Sequence, residues 1–238
     1  MMHQAQMLFL VTGKCNMACP HCAQGTWRRA YINYHMTPGE VGMICRRIKE
    51  SGLHFDQALI MGGEPTLWKY LEDGCRIIRE SKVFNEIDIY SNCKNADVLM
   101  GVLDKGLADK IKVQTVNMDV EGVHKLHQCH AQYMDVSQQE GHRVHPESPM
   151  EGVLPATCGC DQITVFDGKV WSCPGAYHNT IRMGWSVDKP KVWMDVEEDW
   201  YGYFNRMDRY SIPACSVCLA NGKVWDRTEI GSRAEDLR

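Results

Sequence analysis

Cys15-Asn16-Met17-Ala18-Cys19-Pro20-His21-Cys22 places three thiols on one short stretch of chain, and the next cysteine is Cys45. Thiolates are soft ligands suited to zinc or iron-sulfur centres, and structural sites of either kind usually close with four protein ligands. Three thiolates leave an iron-sulfur cluster one ligand short, so its open iron can hold a reacting molecule. A zinc site completed by a remote ligand such as His21 or His35 is the plainer alternative. A second set consists of Cys158, Cys173, Cys215 and Cys218, with Cys160 as a rival to Cys158. Four thiolates close either a zinc site or a cluster, and residue type does not separate the two.

Two further segments are chemically unusual, Gly62-Gly63-Glu64-Pro65 and Ser91-Asn92. Apolar runs precede all three loops: Met7 to Val11, Ala58 to Met61 and Ile87 to Tyr90, with a fourth run from Ile111 to Val116. They read as buried parallel strands, because helical patterns lie between them. Thr37-Pro38-Gly39-Glu40 is a capping box with proline at the first helical position, and Val41, Ile44 and Ile48 form the stripe of a helix ending near Gly52. A second helix is predicted from about Trp68 to Ser81, a third from about Ala96 to Asp104, and a fourth through Val120, Val123 and Leu126. Met134 to Val136 fits a short strand. Each unusual segment then follows a strand, at the edge where parallel α/β barrels assemble their sites.

The spacing Cys-x3-Cys-x2-Cys, with an aromatic residue before the third cysteine and Gly-Gly-Glu-Pro about 40 residues on, resembles the radical S-adenosylmethionine (SAM) superfamily. The resemblance implies a partial (β/α) barrel in which Cys15, Cys19 and Cys22 hold a 4Fe-4S cluster whose fourth iron is chelated by SAM. It places His21 near the adenine. Gly62, Gly63 and Glu64, in the turn closed by Pro65, meet the methionine amino group, with Glu64 accepting from the ammonium. Ser91 and Asn92 match the ribose-contacting strand end, although Cys93 stands where many relatives carry glycine, and Gln114 is a further SAM-pocket residue. The chemistry implied is reductive cleavage of SAM to a 5′-deoxyadenosyl radical that takes a hydrogen atom from substrate, with an outside one-electron donor such as flavodoxin or ferredoxin.

From Cys158 onward the composition changes, with five of the seven tryptophans and five of the twelve cysteines. We therefore divide the chain into a partial barrel, 1–150, and a small second domain, 151–238, with His142 to Thr157 as linker. Asp167-Gly168 between Ile163–Phe166 and Lys169–Ser172 signals a β-hairpin. The cysteine layout resembles the twitch form of the SPASM domain, which implies one auxiliary 4Fe-4S cluster on Cys158, Cys173, Cys215 and Cys218. That cluster could take the electron left on the substrate, making the net reaction a two-electron oxidation of a small molecule such as a sugar or aminocyclitol.

Oxidation or cross-linking of a ribosomal peptide is the second reading; with the first strand expected from about Met7 we expect no peptide-recognition domain ahead of the barrel, so a separate recognition protein would deliver the peptide. A non-catalytic iron-sulfur or zinc protein is the third. His124, His127 and His130 read more simply as a polar helix surface than as ligands, and Cys45 and Cys75 as small core residues. Trp171, Trp185, Trp193, Trp200 and Trp225 read first as bulk for a small core. The net charge of -4 gives no basic footprint for nucleic acid, and no apolar run reaches the length of a membrane span. Twelve cysteines without a secretory signal lead to the expectation of a reducing, cytoplasmic setting.

Overall fold

The computed structural model describes residues 3–17, 33–114, 118–136, 142–143, 162–171, 193–196, 200 and 224–225. Strands β1 (His3–Thr12), β2 (His54–Gly62), β3 (Phe84–Ser91), β4 (Lys110–Val113) and β5 (Met134–Asp135) are parallel neighbours in one sheet. Helices α1 (Pro38–Glu50), α2 (Leu71–Ser81) and α3 (Ala96–Asp104) connect the first four, and α4 (Val120–His130) leads to β5. On the other side of β1 the sheet continues through β7 (Gln162–Phe166), parallel to β1, then β8 (Lys169–Trp171) and β9 (Trp193–Asp195), each antiparallel to the strand before it. The eight-stranded order is β5-β4-β3-β2-β1-β7-β8-β9, an α/β sheet open at both ends. Two-residue strands β6 (His142–Arg143) and β10 (Val224–Trp225) pair separately.

Alternation along each strand decides which face the helices cover. Met7, Phe9 and Val11, Ala58 and Ile60, Ile87 and Ile89, and Ile111 and Val113 pack with Ile44, Ile48, Cys75, Ile78, Leu99 and Leu126. The expected core cysteines lie there, and burial pushes Cys45 up to about 11 and Cys75 up to about 12. The opposite, inner face carries Leu8, Leu10 and Leu59 beside polar residues. In α1 the Thr37 hydroxyl accepts from the Glu40 amide at 3.2 Å, and the Glu40 carboxylate accepts from the Thr37 amide at 2.6 Å, so the capping box forms as expected.

Three local expectations change. Helix α2 begins at Leu71 because Pro65–Leu67 make a 3₁₀ turn and Trp68 is extended. The Trp68 indole is buried, donates to the Met36 carbonyl at 2.7 Å and lies where a Cβ on Gly74 would come within 2.0 Å. Val120 is 69% exposed rather than part of the stripe, since Asp119 caps α4 and Val120 opens it. The predicted hairpin forms, with Asp167 at φ 50° and Gly168 at φ 68°, as a type I′ turn requires. It extends the main sheet through β1, however, and Tyr34 ties it down by accepting from the Asp167 amide at 3.1 Å and packing on Phe166 at 4.4 Å.

Candidate functional site

Three chain segments leave adjacent parallel strands on one edge, and the turns after β1, β2 and β3 are stitched together there. The Gly63 amide donates to the Thr12 carbonyl and the Glu64 amide to the Lys14 carbonyl, both at 2.7 Å. Gly62 sits at φ 140°, and a Cβ there would come within 2.5 Å of the Thr12 carbonyl oxygen. At Gly63 a Cβ would come within 2.0 Å of the Lys14 carbonyl oxygen. Both glycines thus admit the backbone of the cysteine-bearing loop. Thr12 steadies that loop from below, its hydroxyl accepting from the Lys14 amide at 3.1 Å.

Glu64 is 1% exposed, and its carboxylate joins two turns, its own and the one after β3, while its backbone amide reaches the turn after β1. Oε1 accepts from the Ser91 hydroxyl at 2.7 Å, the Thr66 hydroxyl at 2.9 Å and the Thr66 amide at 3.1 Å. Oε2 accepts from the Asn92 amide at 3.0 Å, the only bond shown for that oxygen among the described residues. Burial pushes the carboxyl above its usual range, while these bonds act in the opposite direction. Asn92 also donates to the Asn16 side chain at 2.8 Å, which ties the third turn to the residue after Cys15. Ser91, Asn92 and Cys93 are all buried, and Cys93 occupies φ 65°. Its thiol is pushed up to about 12 by burial and by the neighbouring Glu64 and Asp119 carboxylates.

Gln114 follows β4 on the same edge, donating its amide to the Ser91 carbonyl at 2.8 Å and accepting from the Tyr90 hydroxyl at 3.3 Å. The edge therefore brings Cys15, Gly62, Gly63, Glu64, Pro65, Ser91, Asn92 and Gln114 together. Cys15 is partly exposed and lies outside any disulfide. Cys19, His21 and Cys22, and the set Cys158, Cys160, Cys173, Cys215 and Cys218, lie outside the described residues. His35 meets the Thr12 hydroxyl at 3.2 Å; burial and then Lys14 and Lys69 hold its pKa below the usual histidine value. His124 and His127 are exposed, and His130 pairs with Asp104 at 3.3 Å. Among the described residues no group of three His, Cys, Asp or Glu could hold a metal ion.

Sequence reasoning missed Gly122 and Asp119. Asp119 accepts from the Gly122 amide at 2.8 Å and donates its own amide to the Asn92 carbonyl at 2.7 Å. A Cβ on Gly122 would come within 2.0 Å of the Cys93 carbonyl oxygen, so α4 is pressed against the third turn. The run Asp-Val-Glu-Gly was a legible helix start, but nothing in it announced the close approach.

The sequence profile of the Radical SAM superfamily matches residues 9–140, more than half of the chain. The protein belongs to the radical SAM superfamily. That membership implies a 4Fe-4S cluster and SAM, and three thiols whose first member stands on the turn after β1 are a suitable donor set. No curated protein matches the sequence. Among solved structures the fold resembles BtrN in complex with AdoMet and 2-DOIA, at 15% identity and a TM-score of 0.56, covering 87% of this chain and 83% of that one. An open conformation of BtrN matches at 15% identity and 0.53, covering 90% and 91%. SuiB of Streptococcus suis bound to precursor peptide SuiA gives 11% and 0.46, covering 90% and 70%. Among the described residues no helix is long and apolar enough to cross a membrane.

Proposed function

We propose that this radical SAM protein is an oxidoreductase that removes two electrons from a small polar molecule of the sugar or aminocyclitol class. The observation that carries the reading is the stitched edge, where the Cys15 turn, Gly62-Gly63-Glu64 and Ser91-Asn92 meet through Glu64 and Asn92. Cys15, Cys19 and Cys22 would hold the SAM-binding cluster, and Cys158, Cys173, Cys215 and Cys218 a second one. When bound, the first cluster and SAM supply hydrogen-atom abstraction from an unactivated carbon, and the second cluster an acceptor for the remaining electron. The protein's own share is position and exclusion of water.

Gly62 and Gly63 keep the β1 and β2 turns in contact, so the cysteine loop is held against the surface that would receive the methionine end of SAM. Glu64 spends Oε1 inside the protein and keeps Oε2 for one further donor, the place for an ammonium. Ser91 and Asn92, held by Glu64, would present the third turn to the ribose, with Gln114 beyond it; for His21, the family resemblance alone implies a place near the adenine. The likeness of fold to BtrN in complex with AdoMet and 2-DOIA supports a small-molecule substrate.

Anaerobic reconstitution with iron and sulfide, reduction by dithionite or by flavodoxin or ferredoxin, and quantitation of 5′-deoxyadenosine test the reading. The expected result is iron for two 4Fe-4S clusters, with deoxyadenosine formation abolished in Cys15→Ala. Two zinc ions and no deoxyadenosine would overturn it. Loss of the second cluster in Cys215→Ala/Cys218→Ala with an unchanged yield of oxidised product would remove the electron-acceptor role.

A further inference from the structure

Each of the first three turns on the site edge carries one exposed lysine: Lys14 after β1, Lys69 between the 3₁₀ turn and α2, and Lys94 between β3 and α3. Hydrogen bonds hold these turns side by side. The Glu64 amide donates to the Lys14 carbonyl at 2.7 Å, and the Asn95 side chain donates to the Thr66 hydroxyl at 2.9 Å. Lys14 and Lys69 lie close enough to His35 that both lower its pKa, so the ring between β1 and α1 is neutral near pH 7.

The lysines stand where local physics disfavours them. Lys69 and Lys94 each precede a helix cap, Tyr70 of α2 and Asn95 of α3, and the positive end of a helix repels a cation. No carboxylate compensates: among the described residues Lys14, Lys69 and Lys94 form no ion pair, and Lys69 has the Tyr70 ring at 4.6 Å. The acids in the first turns of these helices are committed elsewhere, Glu72 to Lys105 at 2.6 Å, Asp73 to Arg76 at 2.8 Å and Asp97 to Lys125 at 2.6 Å. Glu64 is buried and bonded, and the exposed Glu121 belongs to α4, on the far side of β3. Lys49 and Lys82 differ, because they end α1 and α2 where the helix dipole favours a cation.

The sequence points the same way. Although the chain holds 30 acidic residues against 26 Lys and Arg, none of the first 39 residues is Asp or Glu, and that stretch contains the whole Cys15 to Cys22 motif. Unpaired cations spread over three exposed turns suit an anionic macromolecular surface more than a small anion. Cys15, on the first of these turns, narrows the partner to one that delivers electrons there.

We infer that Lys14, Lys69 and Lys94 form the docking face for an acidic one-electron carrier protein. The inference rests on the function proposed above and adds where its reductant binds. Each encounter passes one electron from the carrier's reduced flavin or iron-sulfur centre to the cluster of the Cys15 motif, and no bond forms or breaks in that step. Exposed charges of this kind steer the encounter and are screened by salt.

The test uses the reconstituted full chain and an acidic flavodoxin as probe, with binding read by isothermal titration calorimetry at a series of salt concentrations. Deoxyadenosine formation is followed in parallel with flavodoxin or with excess dithionite as reductant. Lys69→Glu/Lys94→Glu should weaken flavodoxin binding on the order of tenfold at low salt, as reversal of two exposed charges predicts, and should flatten its salt dependence. The same variant should keep its dithionite-driven rate. Its Tm should stay the same or rise, since acids replace cations ahead of two helices. Lys49→Glu/Lys82→Glu, with the same net charge, should bind flavodoxin within about twofold of wild type. Equal weakening in both variants, unchanged affinity in the first, loss of its dithionite-driven rate, or tighter binding of a short DNA duplex than of flavodoxin would overturn the inference. Dithionite-driven deoxyadenosine in wild type separates the two claims. If it forms and flavodoxin binding ignores the first variant, only the docking face falls; if it is absent, both fall.

Discussion

The two edges of the parallel sheet use glycine for different physical reasons. Where the helices hand the chain back to the strands, Gly52 and Gly106 stand at φ 64° and φ 62° with open space around them, and Lys82 holds φ 58° at the corresponding place. The amides of Leu53 and Leu107 donate to the Ile48 and Val102 carbonyls, closing α1 and α3 with left-handed caps. That edge needs only a backbone angle, and a lysine supplies it once. At the other edge Gly62, Gly63 and Gly122 admit a neighbouring main chain. Gly62 and Gly122 are buried and Gly63 partly so, whereas Gly52, Lys82 and Gly106 are exposed. One edge turns the chain, and the other assembles a site.

The contrast makes graded predictions. Gly63→Ala should have the largest effect, because its Cβ cannot coexist with the Lys14 carbonyl; we expect a loss of about 3 kcal/mol or more in urea unfolding. Little or no loss would make the two edges equivalent. Glu64→Ala comes next, leaving the Ser91, Thr66 and Asn92 donors without their acceptor and opening a cavity, for about 2–4 kcal/mol.

Glu64→Gln should be milder and sharpens the electrostatics. Burial raises the carboxyl's folded-state pKa above its unfolded value, near 4.3 for a free glutamate. The stabilisation linked to the neutral form is therefore fully present below the unfolded value and lost as pH rises through the raised one. Wild type should lose stability relative to Glu64→Gln across that window, read as midpoints at a series of pH values. A pH-independent difference would count against the raised carboxyl.

On the tolerant edge Gly52→Ala should lose only about 1 kcal/mol, the left-handed strain of an L-residue offset in part by its unfolded-state entropy. Lys82→Gly should be smallest, a gain within about 0.5 kcal/mol, since relief of the same strain is largely cancelled by glycine's freedom when unfolded. Equal losses for Gly52→Ala and Gly63→Ala would erase the distinction between angle and contact.

The elements themselves were legible where the signal was local. The capping box at Thr37, the stripe of α1, the bounds of α3 and the Asp167-Gly168 turn follow from residues within a few positions of one another. The start of α2 was not, because Trp68 is claimed by the Met36 carbonyl and by Gly74 across the packed helices. Val120 was misplaced because hydrophobicity alone does not say whether the first residue past a cap faces the core. The hairpin was visible, but its attachment to β1 depends on a pairing between residues about 155 apart.

The site divides in the same way. Residue type and spacing singled out Cys15, Gly62-Gly63-Glu64 and Ser91-Asn92 as chemically unusual, and strand order implied that they share an edge. Glycine's tolerance and thiolate softness belong to the residues and can be read in any context. What each group touches belongs to the fold: the Glu64 carboxylate met by donors of its own turn and of the turn after β3, and the glycines pressed on the cysteine loop. Those contacts join strands far apart in sequence, and only the register of the folded sheet determines them.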